Sequence, residues 1–424
     1  MKLAIIGGGA AGLMAAAAAI ETDSKSEVIL IEKNDSLGKK VIISGGGRCN
    51  LTTGIQDVKL VLTKYPRGSK FLNKAMHRFS PSDIYRWFEA HGVPLKIEAD
   101  MRVFPQSNDG RDVVGVFEKL FAKAKVRVMY DSQVQGIEKS AKGFKVTIKG
   151  QAAPLLADKV ILTTGGQAYR QTGSTGDGYG FAASLGHTIT DLAPSLSALF
   201  TREAWPAKVA GLSFAKAKLV IKPSIPNPFP PHVQGKVALH STIGPFLFTH
   251  KGISGPGVFA LSSLAAFEKF DVNQPLEISV DLFPDRQDAD LIESIKKLID
   301  GTPKKSLVNV LAQVVPKALS EIVCHELSSD HEKRANETSK KDLARCAAWL
   351  KSIPLHVISR SNGEEFVTAG GVDLKEVDPS TLESKLCPGL YFAGEILDID
   401  GFTGGFNLQS AWATGRLAGV SSIK

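Results

Sequence analysis

Residues 7–12, Gly-Gly-Gly-Ala-Ala-Gly, sit between an apolar run at residues 2–6 and an alanine-rich stretch at residues 10–20. This G-x-G-x-x-G spacing constrains the fold more than any other feature of the chain. A strand must end at Gly7, which permits a tight turn. Gly9 lets the backbone approach a pyrophosphate, and Gly12 lets the following helix lie close on the sheet. The helix start then offers free N–H groups and the positive end of its dipole to the phosphates. A second apolar run, residues 28–32 (VILIE), completes a strand, helix and strand within about thirty residues, the βαβ unit of a parallel sheet. Glu32 closes that strand. Its carboxylate is placed to accept hydrogen bonds from an adenosine ribose, and an acid there disfavours a 2′-phosphate. The first twenty residues also resemble a secretion signal, with Lys2 followed by an apolar run to Ile20. The glycine spacing and the strand pattern that follows mark them as structure instead.

The same device recurs at the far end. Residues 389–419, GLYFAGEILDIDGFTGGFNLQSAWATGRLAG, are a short apolar strand, a glycine-rich turn and a helix. An NAD enzyme needs only the first unit, because its nicotinamide reaches into another domain. FAD is longer, and its ribitol and ring require further backbone donors. Glu395 is placed for the ribitol or the phosphate edge. The N–H groups near Gly405, Phe406 and Asn407 open a helix, where they would stabilise negative charge at the N1/C2 carbonyl edge of a reduced flavin. The expected resident cofactor is therefore FAD. No second dinucleotide fingerprint is present, so NAD(P)H, if used, approaches only as a transient donor.

At 424 residues, 43% hydrophobic and 22% charged, the chain can bury a large core and form two or three domains. Lysine and arginine number 51 against 43 aspartates and glutamates, a net +8. The basic pairs Lys39-Lys40, Lys304-Lys305 and Lys340-Lys341 are scattered, however. This argues against a nucleic-acid partner and for a solvated surface with some cations facing an anionic cofactor or substrate. Cys49, Cys324, Cys346 and Cys387 form neither a Cys-x-x-Cys pair nor a zinc spacing with histidine. They suit a reducing cytoplasm and predict no metal site. No apolar stretch reaches membrane-spanning length.

Along the chain, residues 80–92 carry a helix start, with Ser80 as N-cap, Pro81 in the first turn and Asp83 at the third position. Residues 112–125 form a second helix. Strands follow at 126–130, in a hairpin spanning 134–150, and at 158–166 (DKVILTTGG). From Asp191 to residue 285 the strands shorten and prolines multiply, as in residues 222–235 (KPSIPNPFPPHVQG). Residues 286–354 are helical and charged in pattern, and β character returns after Pro354.

Several blocks together resemble one family. They are the N-terminal fingerprint, Ser44–Thr52 (SGGGRCNLT), Thr163–Gly166 (TTGG), Thr172–Ala182 (TGSTGDGYGFA), Phe248–Pro256 (FTHKGISGP) and the closing segment. They look like the YhiN-like, BaiN-like bacterial flavoproteins, NAD(P)/FAD-dependent oxidoreductases with aminoacetone-oxidase-like relatives. The stretch around Gly176-Asp177-Gly178 also resembles the wider glutathione-reductase-like class, which includes fumarate reductases and L-aspartate oxidases. The resemblance implies an α/β fold whose Rossmann-type FAD-binding domain comprises residues 1–190 and 355–424. A β-rich insert on the substrate side, 191–285, and a helical insert, 286–354, would interrupt it. The FAD contacts implied are Gly7, Gly9, Gly12, Glu32, Lys40, Gly47, Arg48, Val134, Gly165, Gly394, Glu395, Gly405, Phe406 and Asn407. Val134 stands for a strand whose backbone pairs with the adenine.

For the chemistry, residues 39–52 (KKVIISGGGRCNLT) are expected to wrap the flavin ring, their glycines keeping side chains away from it. Arg48 and Asn50 are candidates to hydrogen-bond the ring or a carbonyl substrate. Arg48 serves equally well as a partner for a phosphate or carboxylate. Cys49, beside Arg48, has a route to a lowered pKa, but with no second cysteine nearby a small packed residue is the better reading. His250, with Lys251 beside it, is the candidate acid or base of the insert, and Tyr169 and Arg170 are further candidates. The expected reaction is hydride transfer between flavin N5 and a small organic substrate. The resemblance implies reduction of an activated C=C bond. The alternatives are oxidation of a small amine by oxygen, flavin-dependent RNA modification or RNA binding, and flavin binding without turnover.

Overall fold

Five short parallel strands carry the nucleotide-binding half of the computed structural model, which describes residues 1–221, 240–327, 334–361, 363 and 365–424. The proline-rich stretch 222–235 lies outside the described residues. In chain order the relevant elements are β1 (Lys2–Ile6), α1 (Ala10–Thr22), β2 (Glu27–Ile31), α2 (Gly110–Ala124), β3 (Arg127–Met129), β4 (Lys159–Leu162), β5 (Leu390–Phe392) and α3 (Phe406–Ile423). The sheet order is β5-β4-β1-β2-β3. Central β1 sets Ile5 against Ile161 of β4 on one side and Leu30 of β2 on the other. Burial on both faces explains why β1, β2 and β4 are continuous apolar runs rather than alternating ones. The first and last parts of the chain thus share one sheet.

They also share one helix pair. Every residue of α1 from Ala10 to Ala19 is buried. Alanine favours the helix, and its small side chain lets another helix come close. That helix is α3. A Cβ added at Gly415 would stand 2.3 Å from the Ala11 carbonyl oxygen, and one at Gly419 would stand 2.3 Å from that of Ala15. Trp412 of α3 is fully buried, and its Nε1 donates to the Leu51 carbonyl at 2.9 Å. Its ring stacks on Phe117 of α2 at 5.8 Å and meets Phe88 edge-on at 5.6 Å. The helix expected near residue 80 is Pro81–Ala90, closed by a capping box between Ser80 and Asp83. The expected hairpin is Val134–Ser140 paired with Gly143–Ile148.

The chain divides into two compact units, Met1–Ser195 with Gly363–Lys424, and Leu196–Asn362. The second unit is a closed antiparallel barrel of Leu199–Thr201, Gly252–Ser254, His240–Thr249, Ser213–Ile221, Leu276–Asp281 and Ile353–Arg360. Helices Asp288–Gly301, Lys317–Glu326 and Lys340–Lys351 share its core, with Leu291, Ile295, Val323 and Leu350 in one cluster with Leu219, Phe246 and Phe248. The β-rich and helical inserts expected as separate pieces are therefore one body. Residues 355–360, assigned from sequence to the nucleotide domain, lie in the last barrel strand. Among the described residues no helix is long and apolar enough to cross a membrane.

Candidate functional site

The β1–α1 turn folds back on the end of β4. Gly7 has φ +107°, and a Cβ there would lie 2.5 Å from the Thr163 carbonyl oxygen; at Gly12 it would lie 1.9 Å from that of Gly7. The Thr163 hydroxyl donates to the carbonyls of Ile6 and Gly7 at 2.9 and 2.8 Å. Space opens only at Gly9, where an added Cβ would meet nothing within 4 Å. Gly9 is also the N-cap of α1 and puts no side chain over it. The first-turn N–H groups have no intrahelical acceptor.

Glu32 is buried at the same turn. One carboxylate oxygen accepts from the Gly8 N–H at 2.7 Å, and the other accepts from the backbone and side-chain amides of Asn34 at 2.8 and 2.7 Å. The Asn34 amide also donates to the Thr172 carbonyl at 3.0 Å. Neighbouring Lys33 reaches the Thr175 hydroxyl at 2.6 Å and Asp177 at 2.8 Å. The TGSTGDG block therefore lies against the end of β2, a position that its sequence did not disclose. Lys33 and Asn34 are signalled in the sequence only by their adjacency to Glu32, and Asp177 only by the block Gly176-Asp177-Gly178. Val134 is buried and opens its hairpin, two residues after Ser132, whose N–H donates to the Glu32 carbonyl at 2.9 Å.

The closing motif meets this turn directly. A Cβ at Gly394 would stand 2.8 Å from that of Ala11, and the Gly394 N–H donates to the Thr414 hydroxyl at 3.0 Å. Glu395 accepts from Lys40 Nζ at 2.8 Å and from the Thr368 N–H at 2.9 Å. Its carboxylate lies so near the turn after β4 that a Cβ at Gly166 would be 2.8 Å from it. Gly165 beside it has φ +73° and faces Ser174. Lys40 and Glu395, both expected at the cofactor, are thus brought together from opposite ends of the sequence.

Gly405, with φ +87°, caps α3 where a Cβ would be 2.2 Å from the Thr52 carbonyl oxygen. With its amide oriented to satisfy both ends, Asn50 accepts from the Gly405 N–H at 2.9 Å and donates to the Thr52 carbonyl at 3.2 Å. Asn407 clasps Gly401 through two hydrogen bonds of 2.8 Å, and the Phe406 carbonyl accepts from the Tyr65 hydroxyl at 2.6 Å. Gly46 and Gly47 take positive φ and face open space. Arg48 is ion-paired with Glu98 at 2.7 Å and lies 3.9 Å over the Phe104 ring. Cys49 is fully buried, and burial pushes its thiol up to about 12, against a weak lowering by Ser44, the reverse of an activated cysteine. His250 is exposed on the turn between the barrel strands His240–Thr249 and Gly252–Ser254. Lys251 lies 5.4 Å over Phe200. Tyr169 packs 5.7 Å from Phe366, and Arg170 donates to Gln167 at 3.1 Å.

Buried polar atoms of Thr164 (Oγ1), Tyr179 (Oη) and Asp398 (Oδ1) have no protein partner. Burial, helped by the charges of Glu395 and Asp398, drives the Tyr179 phenol far above its ordinary range. Burial also raises the Asp398 carboxyl against the opposing pull of Arg67. Open cradles at Gly9, Gly46 and Gly47, two helix starts without side-chain caps, and a ribose-type acid fit a long dinucleotide that carries a ring at one end.

Residues 1–421 of the 424 match the family described as HI0933-like protein Rossmann domain. It is 32% identical over 428 residues to a 3-dehydro-bile acid delta(4,6)-reductase of Clostridium scindens, covering 100% of this chain and 99% of that protein. It is 27% identical over 415 residues to a ribosomal RNA dihydrouridine synthase of Escherichia coli, covering 97% and 95%. Among solved structures, the 3-ketosteroid-delta4-(5alpha)-dehydrogenase of Rhodococcus jostii shares the fold with a TM-score of 0.51 at 14% identity, covering 100% of this chain and 96% of that one. The fumarate reductase of E. coli does so with a TM-score of 0.51 at 16% identity, covering 100% and 70%. The chain belongs to the HI0933-like Rossmann family and is an FAD-dependent oxidoreductase.

Proposed function

We propose that this protein is a cytoplasmic reductase that saturates an activated C=C bond, one conjugated to a carbonyl, with NAD(P)H as a transient electron donor. The observation that carries the site is the meeting of the two glycine turns, Gly394 against Ala11 and Glu395 on Lys40. FAD, when bound, supplies a two-electron hydride carrier. The residues here hold it as follows. The open first turn of α1, at Gly9, takes the pyrophosphate, and Glu32, pinned by Gly8 and Asn34, takes the ribose. The Lys40–Glu395 pair lines the ribitol side. Gly405 and Phe406 present the start of α3 to the ring edge, where the helix dipole favours added negative charge. Gly46 and Gly47 keep side chains off the ring. Asn50 holds the Gly405 amide in place and is read as a positioning residue rather than a proton donor.

The choice of a C=C bond is supported by the names of both relatives. A delta(4,6)-reductase of a 3-dehydro-bile acid and a dihydrouridine synthase each describe saturation of a ring double bond within reach of a carbonyl. The second name also favours a runner-up, reduction of uridine in ribosomal RNA. Anaerobic mixing of the yellow protein with NADH or NADPH should bleach the flavin, and colour should return on adding a 3-oxo-Δ4 steroid. Recovery with ribosomal RNA and not with the steroid would transfer the assignment to the runner-up. Bleaching by small amines, with none by nicotinamides, would overturn both.

A further inference from the structure

We propose that residues 64–68 (Lys-Tyr-Pro-Arg-Gly) form a strap that fixes the start of α3 at the flavin, with Arg67 and Asp400 as its positioning residues. This rests on the reading of Gly405 and Phe406 as flavin contacts. The strap grips the loop 398–406 along its length. A Cβ at Gly68 would stand 2.5 Å from the Ile399 side chain. Arg67 and Asp400 pair in an antiparallel bridge. The Phe402 N–H donates to the Lys64 carbonyl at 2.9 Å. The Tyr65 hydroxyl donates to the Phe406 carbonyl at 2.6 Å, and its ring meets Phe406 edge-on at 6.2 Å.

At the centre, Arg67 donates through Nε and Nη2 to the two oxygens of Asp400, which also accepts from the Ser195 hydroxyl at 2.7 Å. The two side chains are 5% and 0% exposed. A buried pair of this kind adds little net stability, because desolvation offsets the attraction; fixing register is its best-attested use. Here the register is that of a glycine-rich loop ending at the uncapped start of α3. Gly404 and Gly405 both take positive φ, so the loop needs outside contacts to define where it ends. The influence of a helix dipole fades within one turn. A small displacement of Gly405 therefore changes how strongly α3 favours the reduced, more negative flavin over the oxidised form.

The test is potentiometric titration of purified holoprotein with free FAD as reference, alongside thermal melting of the apoprotein. Wild type, Arg67→Lys, Arg67→Met, Asp400→Asn and Tyr65→Phe are compared. The wild-type potential should lie above that of free FAD. Arg67→Met and Asp400→Asn should lose about tenfold in preference for the reduced flavin, about 30 mV for a two-electron couple. Arg67→Lys should recover part of that loss, and Tyr65→Phe should shift the potential in the same direction by a smaller amount. If the buried-pair variants do not fold, Tyr65→Phe, which removes a single oxygen, decides. A variant that binds FAD at the wild-type potential overturns the strap. A wild-type potential equal to that of free FAD overturns instead the reading of Gly405 as a flavin contact.

Discussion

The contact between α1 and α3 sets a demanding test, because it is where the two ends of the chain are joined. At Gly415 and Gly419 an added Cβ would approach a carbonyl oxygen of α1 to 2.3 Å, whereas ordinary contact begins near 3.4 Å. The obstacle is backbone, so no side chain can rotate away and the helices must part by about 1 Å. Overpacking of this kind costs about 1–3 kcal/mol, and a rigid backbone obstacle belongs at the upper end. Replacing glycine with alanine inside a helix returns about 1 kcal/mol of propensity. The net loss is then about 2 kcal/mol, a fall in Tm of about 4–8 °C for a domain of this size. Both single substitutions should show it in differential scanning calorimetry of the apoprotein. They should part company on cofactor. Gly415→Ala presses on Ala11, in the first turn of α1, and should weaken FAD binding about tenfold. Gly419→Ala presses on Ala15, about 6 Å further along the helix, and should leave affinity within threefold. Alanine at both positions raising Tm would mean that the helices do not touch there. Equal losses of FAD affinity would mean that this contact does not lead to the phosphate end.

Three further outcomes are expected. Glu395→Gln keeps an acceptor for the Thr368 N–H but loses its charge against Lys40; isothermal titration of apoprotein should show FAD binding about tenfold weaker, about 1.4 kcal/mol, and an affinity within twofold of wild type would remove Glu395 from the site. With its thiol pushed to about 12 by burial, Cys49 should stay unlabelled by iodoacetamide at pH 8 in the native protein; mass spectrometry showing its modification within minutes would contradict that environment. His187 sits between Glu376, at 3.1 Å, and the Ser384 hydroxyl, at 2.7 Å. Burial, the largest influence, holds its imidazole below the ordinary value despite the opposing pull of Glu376. The unfolded chain therefore takes up a proton near pH 6.5 before the folded one does, so stability is full above that pH and falls as pH drops through it. The Glu376 carboxyl, lowered by the Thr188 N–H and by His187 against burial, adds a second loss at more acid pH. Tm should be level from pH 8 to 7 and decline below about 6.5, and His187→Gln should flatten the first part of that decline; an unchanged profile in the variant would assign it elsewhere.

The features that could be read directly from sequence are those in which one residue's own chemistry dictates its surroundings. Gly7 and Gly12 admit no side chain wherever the rest of the chain goes, so their spacing carries its meaning alone. The Ser80–Asp83 cap is local for the same reason. Strand partners are different. The return of β character after Pro354 suggests re-entry into the nucleotide domain, yet Ile353–Arg360 closes the barrel. A cue was present: Ile353, Leu355 and Val357 are buried in alternation with less buried neighbours, the mark of an antiparallel strand with one face inward. The strands of the nucleotide sheet are continuous apolar runs. Alternation against continuity distinguishes the two sheets where β propensity does not.

The polar pairs of the site were hidden by the ordinary habits of their members. Lys40 and Glu395 are each expected at the cofactor, and nothing in either segment states that they bind one another across 355 residues. Arginine is mostly a surface residue, so nothing in its own segment marks Arg67 as buried. Aspartate beside glycine is an everyday turn former, so the sequence around Asp400 does not mark it as paired. Each common role conceals the pair, and only their coincidence licenses burial. Within Gly394–Gly405 the turn geometry is already met by glycines at 394, 404 and 405 with positive φ. Asp398 and Asp400 are therefore acids that the turn does not require. An acid in excess of what a glycine-rich turn needs, set among apolar residues such as Ile396, Leu397 and Ile399, implies a compensating group brought to it from elsewhere in the chain. Arg67, ion-paired with Asp400, is that group, while burial raises the neighbouring Asp398 carboxyl against the opposing pull of the same Arg67.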